Sequence, residues 1–291
     1  MRLGALEAGG TKMVCAIGNA NGEIYERISI PTETPEITVP KMIEYFKEKD
    51  IQALGIGCFG PIDLNRKSET YGYITTTPKL AWKNYNIVGA FADALDIPVG
   101  FDTDVNGSAL GEATWGITKG LDNSIYITIG TGVGMGIISN GKLLHGMLHP
   151  EGGHVLLAKH PDDTYAGKCP YHRNCLEGLA AGPAIEERWG KKGIELADRK
   201  EVWEMEAFYI GQAIVDYIVI LSPQRIILGG GVMHQEHMMP LVREEVKKQL
   251  NGYLVTKELE DLDSYIVLPS LNDNQGIMGA LKLAVDELAM Q

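Results

Sequence analysis

The segment Cys169-Pro170-Tyr171-His172-Arg173-Asn174-Cys175 carries a C-x2-H-x2-C pattern. Two thiols and an imidazole at that spacing are ligands suited to tetrahedral Zn2+, and two of the chain's four cysteines fall there. A closed site wants a fourth ligand, and spacing leaves His145, His149, His154 and His160 all open. Such a site would pin a loop. A second kind of chemistry lies in two glycine turns, Gly9-Gly10-Thr11-Lys12 and Gly130-Thr131-Gly132. Backbone N–H groups in tight turns converge on one concavity and can cradle phosphate oxygens. Glycines also serve plain hairpins, but the paired occurrence with threonine hydroxyls and Lys12 favours phosphate. The dinucleotide fingerprint G-x-G-x-x-G fails at Met135 and Ile137. A P-loop reading of residues 136–142 fails at Leu143, where Ser or Thr is required.

Asp104 is the third element. It stands at the end of an apolar run and the start of a helical stretch, where α/β folds bind ligands. A carboxylate there can take a proton from a substrate hydroxyl, although aspartate at such a place also serves as a helix N-cap. Glu151-Gly152-Gly153-His154 and Glu177 offer groups that hydrogen-bond sugar hydroxyls. Asp122, Asp162, Asp163 and the acidic run 258–261 read as solvated turns and faces.

These residues need elements to hold them. Apolar runs at 3–6 and 13–17 flank the first glycine turn as a hairpin, followed by a strand over 24–30. Thr34-Pro35 opens a helix to about residue 49. A buried strand over 53–58, a helix capped by Asn86, a strand over 98–101 and a helix from 104 to about 115 complete the first half. Near residue 124 the strand, Gly/Thr turn and strand recur, closed by the hairpin turn Asn140-Gly141. That repeat predicts two related subdomains with a boundary near 116–123. The domains are then 1–118 and 119–275, with the C-terminal helix, about 276–291, packing back on the first and a metal loop at 154–176. The second half is mostly helical over 176–221 and has a strand over 225–228 ending in Gly229-Gly230-Gly231. Cys15 and Cys58 read as core residues, and 210–221 is apolar enough for a core or an interface.

Composition narrows the function. The 291 residues suffice for two domains or one large one. With 26 basic against 38 acidic residues the net charge is −12, which opposes nucleic-acid backbones but not a small phosphorylated ligand. No apolar run reaches the ~20 residues that span a bilayer. Met1-Arg2 leads straight into a strand, so no signal peptide, no membrane partner and a cytoplasmic location are expected.

In this order, Glu7-Ala-Gly-Gly-Thr-Lys12, Asp104-Val-Asn106, Gly130-Thr-Gly-Val-Gly134, Glu151-Gly-Gly-His154 with the Cys/His cluster, and Gly229-Gly-Gly-Val232 resemble the ROK-family sugar kinases. The match runs from about residue 3 to 285. Within the family the chain looks most like the bacterial fructokinase branch, on Glu7, on Thr103 and on the C-x2-H-x2-C form of the cluster. The resemblance implies an α/β fold of two actin-like, hexokinase-like (ribonuclease H-like) domains around a cleft, with an inserted zinc-binding loop. It implies Asp104 as general base and Glu151, His154 and Glu177 as sugar contacts. It implies zinc on His154, Cys169, His172 and Cys175, His154 serving both sugar and metal. It also implies ATP held by Gly10, Thr11, Lys12, Thr131, Gly132, Pro183, Gly229, Gly230, Gly231, Val232 and Met233. Mg2+ would accompany ATP, with Glu7 holding it through water.

The expected reaction is ATP-dependent phosphorylation of D-fructose at the 6-hydroxyl, in a homodimer. Mannose, glucose or N-acetylmannosamine is the alternative acceptor, and a non-catalytic sugar-sensing regulator is the alternative of another class. Only eight residues precede Gly9 and the chain is acidic, so DNA binding is not expected.

Overall fold

The computed structural model describes residues 1–291 and divides them into two compact units. The first comprises residues 1–120, 143–149 and 270–291. Its strands are β1 (Leu3–Ala8), β2 (Lys12–Gly18), β3 (Ile24–Pro31), β4 (Leu54–Cys58), the short pair β5 (Tyr73–Ile74) and β6 (Tyr85–Asn86), and β7 (Val99–Thr103). Its helices are α1 (Pro35–Lys47), α2 (Ile87–Leu95), α3 (Asp104–Trp115) and the C-terminal helix Gln275–Ala289. The main sheet runs β3-β2-β1-β4-β7, with β1 to β3 antiparallel and β1, β4 and β7 parallel.

The period of two along the strands divides this unit's core. Leu6, Ala8, Met13, Cys15, Ile17, Leu54, Ile56 and Cys58 face a cluster with Phe46, Trp82 and Phe91. Leu3, Ala5 and Ala16 face Ile277, Ala280, Leu281 and Ala284 of the C-terminal helix. That second face is built for close approach. A methyl group on Gly55 would lie 1.7 Å from the Ala280 carbonyl oxygen, and one on Gly279 would lie 1.7 Å from the Gly107 carbonyl oxygen. Glu7 shares the parity of Leu3 and Ala5, and its carboxylate lies beneath Gly276, where a methyl group would meet Oε1 at 2.8 Å. Asn86 caps α2 by accepting from the Gly89 N–H at 2.8 Å, as expected.

The segment 143–149 belongs to the first unit although both its neighbours in sequence belong to the second. Two histidines fasten it. His145 Nε2 lies 2.8 Å from Asp102 Oδ2, and His149 Nε2 accepts from the Ile62 N–H at 3.2 Å. Neither tie shows in the hydropathy pattern of the segment.

The second unit comprises residues 121–142 and 150–269. Strands β8 (Ser124–Ile129), β9 (Val133–Ser139), β10 (Lys142–Leu143), β11 (Arg225–Gly229) and β12 (Ile266–Val267) form a sheet of order β10-β9-β8-β11-β12. The hairpin β8–β9 is antiparallel, while β8, β11 and β12 are parallel. The plan matches that of the first sheet, which is the structural form of the internal repeat. Helices α4 (Leu176–Ala180), α5 (Gly182–Trp189), α6 (Lys200–Leu221) and α7 (Met238–Leu250) cover it. In α6, Ile210, Ile214, Tyr217 and Ile218 are buried while Ile220 is exposed.

One assignment is corrected here. Asp163, read from sequence as a solvated turn residue, has its side chain buried against the Arg188 guanidinium at 3.2 Å. Arg188 also reaches Glu206 at 3.0 Å, and Tyr209 donates to Asp163 at 2.6 Å. Sequence distance hid the cluster, since its partners come from a loop, α5 and α6. No helix is long and apolar enough to cross a membrane.

Candidate active site

In the first unit, Gly9–Lys12 closes the β1–β2 hairpin, whose register pairs Ala8 with Met13. The Gly9 N–H donates to the Lys12 carbonyl at 3.0 Å, and Thr32 fixes the turn from outside through Gly9 O at 2.8 Å and Thr11 O at 3.0 Å. Gly10 is half-buried, and the side chains of Thr11 and Lys12 are exposed.

Asp104 is the first residue of α3, and the N-cap is Thr103, whose hydroxyl accepts from the Asn106 N–H at 3.0 Å. Asp104 is therefore not spent on capping. Its Oδ1 accepts from the Val105 N–H at 2.9 Å, leaving Oδ2 for a ligand. Burial pushes its carboxyl up to about 6, against the pull of the Val105 hydrogen bond. Glu7 is pushed up to about 7, first by burial and then by the Asp104 charge. Two buried carboxyls, one raised further by the charge of the other, suit a site that receives a cation.

Asp102, passed over in the sequence reading, orients this end of the strand. Its Oδ1 accepts from the Thr103 N–H at 2.8 Å and from Asn106 Nδ2 at 2.6 Å. Its bond to His145 raises the imidazole above its ordinary value. The D-x-D spacing was the available signal, with only the second carboxylate taken up.

In the second unit, Gly130–Gly132 closes the β8–β9 hairpin, with the Gly130 N–H donating to the Gly132 carbonyl at 2.9 Å and Thr131 exposed. The Gly182 N–H donates to the Gly130 carbonyl at 2.8 Å, which seats Pro183 at the start of α5 beside that turn. Gly130, Thr131, Gly182 and Pro183 line a cavity of about 540 Å3 together with Gly231 and Val232. Gly231 faces open space, whereas Gly230 has φ +89° and sits on the Ile129 backbone, where a methyl group would lie 2.4 Å from the carbonyl oxygen. Gly229 packs on Tyr126 and Met233 is buried, so both support the turn from behind. Sequence reading missed Lys192, Ile194 and Trp203 in the cavity wall. An isoleucine 80% exposed is the sign of an apolar lining, but exposure is a tertiary property.

Glu151-Gly-Gly-His154 forms a tight turn against β9. A methyl group on Gly153 would lie 2.0 Å from the Val133 carbonyl oxygen, and one on Gly152 would lie 2.1 Å from Met135 Cε. Tyr217 locks the turn by donating to the Gly152 carbonyl at 2.7 Å. Only glycines fit between Glu151 and His154. Glu177 Oε2 accepts from the Val133 N–H at 3.0 Å, and its Oε1 lies 4.0 Å from His154 Nε2. Glu177 thus ties the second glycine turn to the Cys/His loop, in addition to the sugar contact expected of it.

The structure brings His154, Cys169, His172 and Cys175 together, with ligand atoms all within 4.8 Å of one another. Of the four histidines left open by spacing, His154 is the one that completes the set. Its Nδ1 lies 3.6 Å from Cys175 Sγ and 3.9 Å from Cys169 Sγ, and His172 Nδ1 lies 3.8 Å from Cys169 Sγ. Zinc bonded tetrahedrally to nitrogen at ~2.0 Å and sulfur at ~2.3 Å would hold those atoms about 3.6 Å apart. The donor set fits the ion in type and in spacing. Burial pushes the Cys175 thiol up to about 11, so a thiolate there calls for a cation.

The chain overlays along its whole length on the whole ROK hexokinase chain from Thermus thermophilus, with a TM-score of 0.79 at 24% identity. Fold and site elements together define a duplicated α/β protein of the hexokinase-like class. The ROK family model matches residues 3–287, and the chain belongs to the ROK family. A fructokinase of Pediococcus pentosaceus is 48% identical over 284 residues, covering 98% of each chain. A fructokinase of Streptococcus mutans is 46% identical over 287 residues, covering 97% of this chain and 96% of its own.

Proposed function

We propose that this chain is a fructokinase, transferring the γ-phosphoryl group of ATP to the 6-hydroxyl of D-fructose. The observation that carries the reading is the near-complete likeness to fructokinases at 46–48% identity, with 98% of both chains covered in one case. The residue roles follow from the chemistry of the site. Asp104 Oδ2 accepts the proton of the 6-hydroxyl as the new O–P bond forms and the bond to the β,γ-bridging oxygen breaks, releasing ADP. A carboxyl near 6 suits that task, being ionised at neutral pH yet basic enough to hold the proton.

Glu151, His154 and Glu177 orient the sugar hydroxyls. Gly10, Thr11, Lys12, Thr131 and Gly132 hold the phosphates, while Pro183, Gly231 and Val232 flank the adenosine. Gly229, Gly230 and Met233 act by shaping that wall. Bound Mg2+ would supply charge neutralisation at the phosphates, and Glu7 is the residue to hold it through water. Zinc on His154, Cys169, His172 and Cys175 would supply rigidity, fixing the ring of His154 from Nδ1 while Nε2 stays on the side of Glu177. We place the protein in the cytoplasm, as a homodimer acting on ATP and a hexose.

The test is product formation from ATP/Mg2+ over fructose, mannose, glucose and N-acetylmannosamine. A kcat/KM for fructose well above the other three is expected. Preference for another sugar would replace the substrate, and zinc-loaded protein without transfer to any of them would favour the sugar-sensing reading.

A further inference from the structure

We propose that Lys79 is a second cation of the first glycine turn, binding the terminal phosphate of the nucleotide opposite Lys12. The inference rests on the kinase reading above and assigns to it a residue outside both glycine motifs. The observation is a close approach. The Lys79 side chain lies across Gly10 so tightly that a methyl group there would sit 3.0 Å from Lys79 Cε and 3.8 Å from Nζ. The ammonium is thus held over the turn that presents its N–H groups for phosphate, and the absent Cβ of Gly10 makes room for it.

The backbone that carries Lys79 is fixed. Its N–H donates to Thr77 Oγ1 at 3.2 Å, and its carbonyl accepts from the Trp82 N–H at 2.8 Å. Trp82 is 1% exposed, donates through Nε1 to the Glu33 carbonyl at 2.7 Å, and packs edge-on against Phe59 and Tyr85. A deeply buried anchor three residues away therefore holds a partly buried lysine in one place.

Charge completes the case. The chain carries 38 acidic residues, and ten of its lysine and arginine side chains sit within 4.0 Å of a carboxylate, yet Lys79 has neither ion pair nor acceptor for its Nζ. An ammonium without a partner, held over a tight glycine turn, is a site for a multiply charged oxyanion. Lys12 approaches the turn from β2 and Lys79 from the loop before Trp82, so the two cations reach it from different elements. Their shared ligand is a phosphate oxygen, on the nucleotide before transfer and on the sugar phosphate after it.

The experiment compares wild type with Lys79→Gln and Lys79→Arg, in steady-state kinetics and in calorimetric binding of the β,γ-imido analogue of ATP and of AMP, each with Mg2+. Lys79→Gln is expected to weaken the ATP analogue by roughly tenfold and lower kcat/KM for ATP by about 10²-fold, with Lys79→Arg recovering part of both. AMP affinity and the KM for fructose are expected to stay within about twofold of wild type. Equal losses for the ATP analogue and AMP, or a rise confined to the fructose KM, would overturn the assignment. If wild type phosphorylated no fructose, the proposed function would fail while the contrast between the ATP analogue and AMP would still decide the role of Lys79.

Discussion

Replacing Asp104 by asparagine is expected to abolish turnover and to make the fold more stable at neutral and alkaline pH. The magnitude follows from the carboxyl's setting. Burial raises it from 3.8 to about 6. A shift of about two pKa units corresponds to about 3 kcal/mol between the protonation states. The sign is that of a carboxyl raised on folding: the native state keeps its proton longer than the unfolded chain. Stability is therefore full below pH ~4, falls as pH rises to ~6, and stays lower above that. Asparagine keeps the Oδ1 acceptor for the Val105 N–H and carries no charge, so the variant escapes that fall. It also removes the neighbouring charge that helps raise Glu7. The assay is urea unfolding of both proteins at pH 4.5 and pH 8, beside kcat for fructose. The variant is expected to gain up to about 3 kcal/mol at pH 8, only about 1 kcal/mol at pH 4.5, and to lose 10²- to 10⁴-fold in kcat. In wild type the ionised fraction rises from about one-tenth at pH 5 to about nine-tenths at pH 7, so kcat/KM is expected to rise about tenfold over that range. A variant that is less stable at pH 8, or that keeps kcat within about threefold, would refute the reasoning.

Two further outcomes test the scaffold around the site. Cys175→Ser is expected to drop bound zinc from about one per chain to near zero, and to lower the melting temperature by ~10 °C if free zinc stands a thousandfold above its Kd. Unchanged metal content would remove zinc from the account. Arg188→Met strands the buried Asp163 and Glu206 carboxylates and is expected to cost about 3–5 kcal/mol by denaturant midpoint. A loss under about 0.5 kcal/mol would show that the cluster is not held together by Arg188.

The elements and their repeat were legible because both sheets are written in local pattern. Alternating parity in β1 and β2 separates two core faces, and the glycine turns mark the hairpins between paired strands. What stayed hidden depends on distance along the chain. The choice of His154 as the fourth member of the Cys/His set rests on a turn locked by Tyr217, 65 residues beyond Gly152. The ties of His145 to Asp102 and of His149 to Ile62 send 143–149 back to the first unit, and hydropathy carries no trace of them. Asp163 looked solvated because its neutralising guanidinium comes from α5. Glu177 looked like a free ligand, and only the register of β9 shows that one of its oxygens holds the Val133 N–H.

The central claim is phosphoryl transfer from ATP to the 6-hydroxyl of fructose, and phosphorus-31 and carbon-13 NMR of the reaction mixture test it most directly. Incubation with ATP, Mg2+ and D-fructose is predicted to give ADP and fructose 6-phosphate in about equal amounts, with phosphorus coupling at C6. ADP formed without a sugar phosphate, or phosphorus coupling at C1, would contradict it.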